Sequence, residues 1–270
     1  MPSLQKDFGD RSPWGYFLRQ KQQLDRLLDI EIKKRRHAQS DISDSKANSH
    51  NEDILSLMMA ACDESGHPMS DAEVHDEIIT LLFGGHETTA SALTWTLYWI
   101  HRYSEVREKL LKELNDLSPD PNPKDITRLP YLGAVCQETL RIYPIIPVGF
   151  GRFLNAPFEV MGHLLERGTG LFPAIYLTHR REEIYPDPTR FRPERFLERQ
   201  FSPYEYLPFG GGNRRCIGTA FAPFEMKLVL ATILSQLELS LADNRPVKAV
   251  RRSISVAPSD DFRMLTIRKK

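Results

Sequence analysis

The sequence predicts a mainly α-helical protein with small β-sheets. Three observations predict it. Long segments, above all residues 70–101 and 217–237, carry apolar residues at helical spacing. Serine and proline stand where such helices should start and stop. From Val148 to Thr178 the period shortens, and Gly162, Gly168 and Gly170 divide the chain into short strands and turns.

The first helix runs from Pro13 through Leu24, Leu27, Leu28 and Ile32 to Arg36 and is strongly charged. Residues 37–51 are polar and read as a flexible loop. Asp53 to Cys62 is a short apolar helix. Ser70 and Glu73 have capping-box spacing and open a long helix that should reach about His101. Ser104 is expected to cap the next helix, with Val106, Leu110, Leu111 and Leu114 facing inward. Pro119 to Pro130 is a proline-rich connector, and a helix over about Leu132 to Ile142 stops at Pro144. Tyr185 to Phe196 is a proline-studded meander. The last long helix covers Ile217 to about Leu237, and a terminal hairpin is expected near Val250 to Ile267. Two features run against this pattern. Pro223 falls inside the last helix, past its expected first turn, where proline costs about 3 kcal/mol. Gly170 and Pro173 weaken what should be a strand.

Composition bounds the function. The chain has 270 residues, with 36 basic and 36 acidic side chains and 41% hydrophobic content, enough for one or two domains with a substantial core. Zero net charge gives no case for nucleic acid as a partner. Cys62, Cys136 and Cys216 lie far apart without metal-ligand spacing, so no disulfide framework is expected and a cytoplasmic setting fits. No run of about 20 apolar residues stands out, so no membrane span is expected. The first residues lack the apolar core of a signal peptide.

The most informative string is Phe209-Gly-Gly-Gly212-Asn-Arg214-Arg-Cys216-Ile-Gly218. Basic neighbours and a following helix N-terminus both favour a thiolate at Cys216. Gly210 and Gly212 let backbone lie against a flat group, Phe209 can cover one side of the sulfur, and Arg214 can meet a carboxylate. Rival motifs fail. No Lys-Ser or Lys-Thr follows the glycines, as a phosphate-binding loop requires, and Arg215 stands where a dinucleotide fingerprint needs glycine. A phosphatase-type loop would need an arginine shortly after the cysteine. The bland alternative is a small buried cysteine at a helix start.

The string has the form Phe-x-x-Gly-x-Arg-x-Cys-x-Gly and resembles the cytochromes P450, in which the cysteine is the proximal haem ligand. Three other motifs follow in the family's order. Gly84-Gly85-His86-Glu87-Thr88-Thr89 resembles the oxygen-activation motif. That likeness makes Thr88 the distal hydroxyl and Glu87 the proton source, while Gly84 and Gly85 leave room for dioxygen. The alternative is a close-packing point in the long helix. Glu138 and Arg141 match the Glu-x-x-Arg pair, which the family locks with an arginine found here as Arg195 in Pro193-Glu194-Arg195-Phe196. As an isolated exposed pair they would contribute only a few tenths of a kcal/mol. Arg152 occupies a place where the family often sets a propionate ligand, alongside Arg214. His179-Arg180 also sits in a family-like place, with a surface role equally compatible.

The resemblance implies a P450-like fold that is N-terminally incomplete, with residues 1–270 forming a single haem-binding domain. It implies haem b on the Cys216 thiolate, and a monooxygenase that hydroxylates an apolar small molecule with O2. Two electrons would come from a ferredoxin or flavoprotein. The alternative is a truncated, inactive remnant that binds haem weakly or not at all.

Overall fold

A computed structural model describes residues 7–9, 12–40, 53–252 and 254–269. The chain divides into two compact units at Gly84/Gly85, inside one long helix.

The first unit is helical. Its α1 (Pro13–Ser40) runs past Arg36, so residues 37–40 are helix rather than loop; the rest of the expected loop lies outside the described residues. Asp53 caps α2 (Ile54–Ala60) by accepting from the Ser56 N–H at 2.9 Å. Arg35, hydrogen-bonded to it, lowers the Asp53 carboxyl to about 2. Cys62 lies beyond α2, in an isolated bridge with Pro68. Ser70 opens α3 (Asp71–Arg102): its N–H donates to Glu73 Oε2 at 2.8 Å, and the Glu73 N–H donates to Ser70 Oγ at 3.3 Å. Ile32, Met59 and Val74, one from each helix, make a small core. Arg36 ties these helices together, donating to the carbonyls of Met59 and Met69 and pairing with Asp71 at 3.0 Å.

The second unit holds the remainder of α3 with α4 (Ser104–Asn115), α5 (Pro123–Thr127), α6 (Pro130–Ile142), α7 (Ile175–Thr178), α8 (Arg195–Glu198) and α9 (Phe221–Gln236). Its core joins Trp95, Ile100, Leu110, Leu132, Val135 and Leu230 from α3, α4, α6 and α9. Rings extend that core into the loops. Trp95 stacks on Tyr143 with centroids 3.9 Å apart, and Trp99 stacks on Phe191 at 5.0 Å.

Several expected boundaries shift. Ser104 is the first residue inside α4, and the capping position is Tyr103, which makes no side-chain capping bond. The proline-rich connector contains α5, capped by Asn122 with Pro123 at its first position. Pro130 likewise starts α6 two residues early, because the first helical amide needs no partner. The next two amides of α6 are capped from outside. Glu113 of α4 accepts from the Tyr131 N–H at 2.7 Å and the Leu132 N–H at 2.8 Å. Replacing Glu113 by alanine should therefore cost about 1–2 kcal/mol, the range of a lost helix cap, measured as a lower urea midpoint with unchanged slope.

Sheet structure is slight. Among the described residues all four strand pairs are antiparallel: β1 (Arg152–Phe153) with β4 (Gly170–Leu171), β2 (Phe158–Val160) with β3 (His163–Leu165), β5 (Leu237–Leu241) with β8 (Met264–Lys269), and β6 (Ala249–Arg252) with β7 (Ser255–Pro258). Gly170 leaves β4 two residues long, and Pro173 precedes α7, a helical turn where strand was expected. The expected terminal hairpin is corrected too. β6 and β7 form a hairpin, but a turn at Ser259–Phe262 redirects the chain, so β8 pairs with β5.

Pro223 is not a defect. Ile217–Thr219 forms a 3-10 turn and α9 begins at Phe221, which makes Pro223 its third residue. An amide there would have no partner inside the helix. Against expectation, Ile217–Gln236 is long and apolar enough to cross a membrane by composition alone. Met226, Leu230, Ala231 and Leu234 are nevertheless buried in the core, and Lys227 donates to the Thr127 carbonyl at 2.8 Å.

Candidate functional site

The framework of the site is ionic and dry. Glu138 and Arg141 lie three residues apart on α6 with no exposed side-chain surface, which excludes the reading as an exposed pair. Arg141 Nε donates to Glu138 Oε2 at 2.6 Å and its second nitrogen to Oε1 at 2.8 Å, a two-pronged contact. Arg195 Nε adds a bond to Oε1 at 3.1 Å, and the Arg192 N–H another at 2.9 Å. The remaining guanidinium protons go to backbone. Arg141 donates to the carbonyls of His179, Pro188 and Arg190, and Arg195 to those of Pro186, Asp187 and Arg190. Every charge in the cluster is thus met within the protein, which is what makes burial of three ions tolerable.

His179 and Arg180 are not surface residues. His179 is buried, and burial pushes its imidazole down to about 3, so the ring is neutral. Its Nδ1 donates to the Arg141 carbonyl at 3.1 Å, and its Nε2 accepts from the Leu207 N–H at 2.9 Å. Half-buried Arg180 donates to the Ile142 carbonyl at 3.0 Å and lies 3.9 Å over the Tyr176 ring. The pair therefore satisfies the last two carbonyls of α6.

The glycine-rich loop starts at Leu207. Its carbonyl accepts from the Gly210 N–H, and the Phe209 carbonyl accepts from the Cys216 N–H, both at 2.9 Å. Gly210 and Gly212 have φ of +70° and +63°, conformations that a side chain would strain. Phe209 packs against the core. Cys216 precedes the 3-10 turn rather than entering an α-helix directly, and it is exposed, so the buried-cysteine alternative is set aside. Ile217 beside it is 84% exposed. By contrast, Cys136 on α6 is buried and its thiol is pushed up to about 12, which leaves it inert.

The other predicted residues lie on separate elements. α3 runs unbroken through Gly84 and Gly85, and a Cβ at either would meet nothing within 4 Å. The helix is thus not opened at these glycines. Glu87 is exposed and accepts from Ser255 Oγ at 3.3 Å; the same hydroxyl lies closer to the Arg252 carbonyl, at 2.9 Å. Thr88 is half-buried and Thr89 buried. Arg152 on β1 donates to the carbonyls of Phe150 and Gly151, next to the exposed rings of Phe150, Phe153 and Phe172. Arg214 is exposed, and Gly218 sits in ordinary contact with Cys216 Sγ, 3.6 Å from where its Cβ would be. The structure thus joins Glu138, Arg141 and Arg195 to the base of the loop, and Phe209 to Cys216. It makes no bond from Arg152, Arg214 or Glu87 to the thiol among the described residues.

These residues fit haem. Among the described residues no cluster of three or more His, Cys, Asp or Glu side chains can cage a metal ion, so a metal bound at Cys216 needs other donors, as a porphyrin provides. An exposed thiol, exposed arginines and exposed aromatic and aliphatic surface match the iron, propionates and ring of that group.

Comparison with known proteins agrees. The family model described as Cytochrome P450 matches residues 11–264. Cytochrome P450 135B1 of Mycobacterium tuberculosis is 40% identical over 228 residues, covering 84% of this chain and 46% of that protein. Cytochrome P450 4V2 of Rattus norvegicus is 36% identical over 77% of this chain and 41% of its own length. The solved structure titled retinoic acid bound cyanobacterial CYP120A1 superposes with a TM-score of 0.82 at 32% identity, over 95% of this chain and 58% of that one. The chain spans about half the length of these relatives. From its motifs, its fold and these matches, the chain belongs to the cytochrome P450 family.

Proposed function

We propose that the chain carries the haem-binding and oxygen-activating part of a soluble, cytoplasmic haem-thiolate monooxygenase. Haem b, when bound, supplies the iron on which O2 is reduced with two electrons and two protons, so that one oxygen atom enters a substrate C–H bond. The observation that carries the reading is the exposed Cys216 thiol on a glycine-shaped loop whose base is tied to the buried Glu138–Arg141–Arg195 frame. Cys216 Sγ would hold the iron, with Phe209 along its flank and Gly210, Gly212 and Gly218 keeping side chains away from the ring. Arg152 and Arg214 would hold the two propionates.

Glu87, open to solvent, would bring protons in from water, and the hydroxyl of Thr88, the following residue, would relay them by accepting one hydrogen bond while donating its own proton. Gly84 and Gly85 leave clear volume on the same helix. A ferredoxin or flavoprotein would supply the electrons. The substrate would be an apolar small molecule, in keeping with the solved cyanobacterial relative that has retinoic acid bound.

Haem added to the purified chain, then reduced under carbon monoxide, should give the red-shifted Soret band of thiolate ligation. Cys216→Ser should lose that band. Failure of the unaltered chain to take up haem would overturn the proposal in favour of an inactive remnant.

A further inference from the structure

We infer that His179 is a positioning residue for the Cys216 loop, coupling the end of α6 to the backbone from which the cysteine is hung. This rests on Cys216 being the haem ligand only for its consequence, since the coupling itself is visible in the protein's own hydrogen bonds.

The imidazole has two nitrogens and two partners of opposite kind. The Arg141 carbonyl can only accept, and the Leu207 N–H can only donate, so one tautomer serves both: protonated at Nδ1 and bare at Nε2. The ring cannot slide out of this arrangement. It is fully buried, stacked on Tyr206 with centroids 5.6 Å apart, and met edge-on by Tyr185 at 6.1 Å. Arg141 holds the same residue from its backbone side, through the bond to the His179 carbonyl at 2.8 Å. His179 is therefore gripped at both ends by one arginine, once by its guanidinium and once by its carbonyl.

Beyond Leu207 the order continues along the loop. The Leu207 carbonyl fixes the Gly210 N–H, and Phe209, one residue earlier, fixes the Cys216 N–H. A continuous series of hydrogen bonds and short backbone steps thus runs from the buried ion frame to the thiol-bearing residue. Among the described residues no other group accepts from the Leu207 N–H, which without His179 would be a half-buried donor lacking an acceptor.

Amide exchange read by NMR tests this on the full chain, with and without haem. His179→Asn keeps a donor where Nδ1 stands but has no atom at Nε2, whereas His179→Gln can still offer an oxygen to Leu207. The Leu207 amide should exchange about tenfold faster in His179→Asn and return towards the parent rate in His179→Gln, with residues 95–100 of α3 unchanged. With haem and carbon monoxide, His179→Asn should shift part of the absorbance away from the thiolate-type band, and His179→Gln should restore it. Unchanged Leu207 exchange, or equal acceleration in residues 95–100, would overturn the inference. His179→Phe removes both bonds and should match or exceed the asparagine variant; if it does not fold, the Asn–Gln pair decides. If the chain takes up no haem, the proposed function falls, while the exchange comparison still decides the role of His179.

Discussion

Glu138→Ala should destabilise the protein by about 3–5 kcal/mol, the cost of removing one partner from a buried ion cluster. The carboxylate accepts four bonds, two from Arg141 and one each from Arg195 and the Arg192 N–H. Without it, two guanidiniums stay buried with only carbonyl oxygens around them. No water can take its place cheaply, because neither Glu138 nor Arg141 has exposed surface. Glu138→Gln should lose less, since the amide oxygen still accepts while the net charge of the cluster rises by one. Urea unfolding followed by near-ultraviolet circular dichroism measures both. A loss below about 1 kcal/mol for the alanine variant would mean that the cluster behaves as a solvated pair.

Trp95→Ala should cost a similar amount, about 3–5 kcal/mol, for a different reason. Trp95 is fully buried, lies face to face with Tyr143 and meets Tyr98 edge-on at 6.0 Å. Alanine would leave a cavity between α3 and the turn after α6, and rings held on two backbones cannot close it. Trp95→Phe should lose about half as much or less, because it keeps an aromatic face and removes an indole N–H that has no acceptor among the described residues. The same unfolding experiment ranks the two, and near-equal losses would mean that ring contact contributes little.

The long helices could be foreseen because their causes are local. The Ser70–Glu73 box and Pro144 act within a turn of the helix ends they define, and the apolar period of α3, α4 and α6 is read directly from spacing. The Cys216 string was equally legible, since the left-handed glycines and the cysteine are contiguous. What escaped has partners far along the chain. The cap of α6 is Glu113, eighteen residues before Tyr131. The burial of His179 depends on Arg141 and Leu207, and β8 finds β5 rather than its sequence neighbour. Pro223 departs from expectation because a 3-10 turn delays the start of α9, and no residue type marks that delay. The burial of Glu138 is not legible for a related reason: a three-residue spacing specifies a shared face but not what covers it.

The meander supplies the ion frame with carbonyl oxygens from Pro186, Asp187, Pro188 and Arg190, while their side chains take no part in those bonds. A frame read through main-chain atoms is indifferent to most side-chain identity, provided the backbone path is kept. Saturation mutagenesis should therefore give a sharply uneven landscape, nearly every replacement failing at positions 138, 141 and 195 and many succeeding at 190. Position 187 would be intermediate for a conformational reason, since its φ of +53° favours asparagine, glycine or the resident aspartate. Drift in this segment can thus proceed without disturbing the ionic lock beneath it.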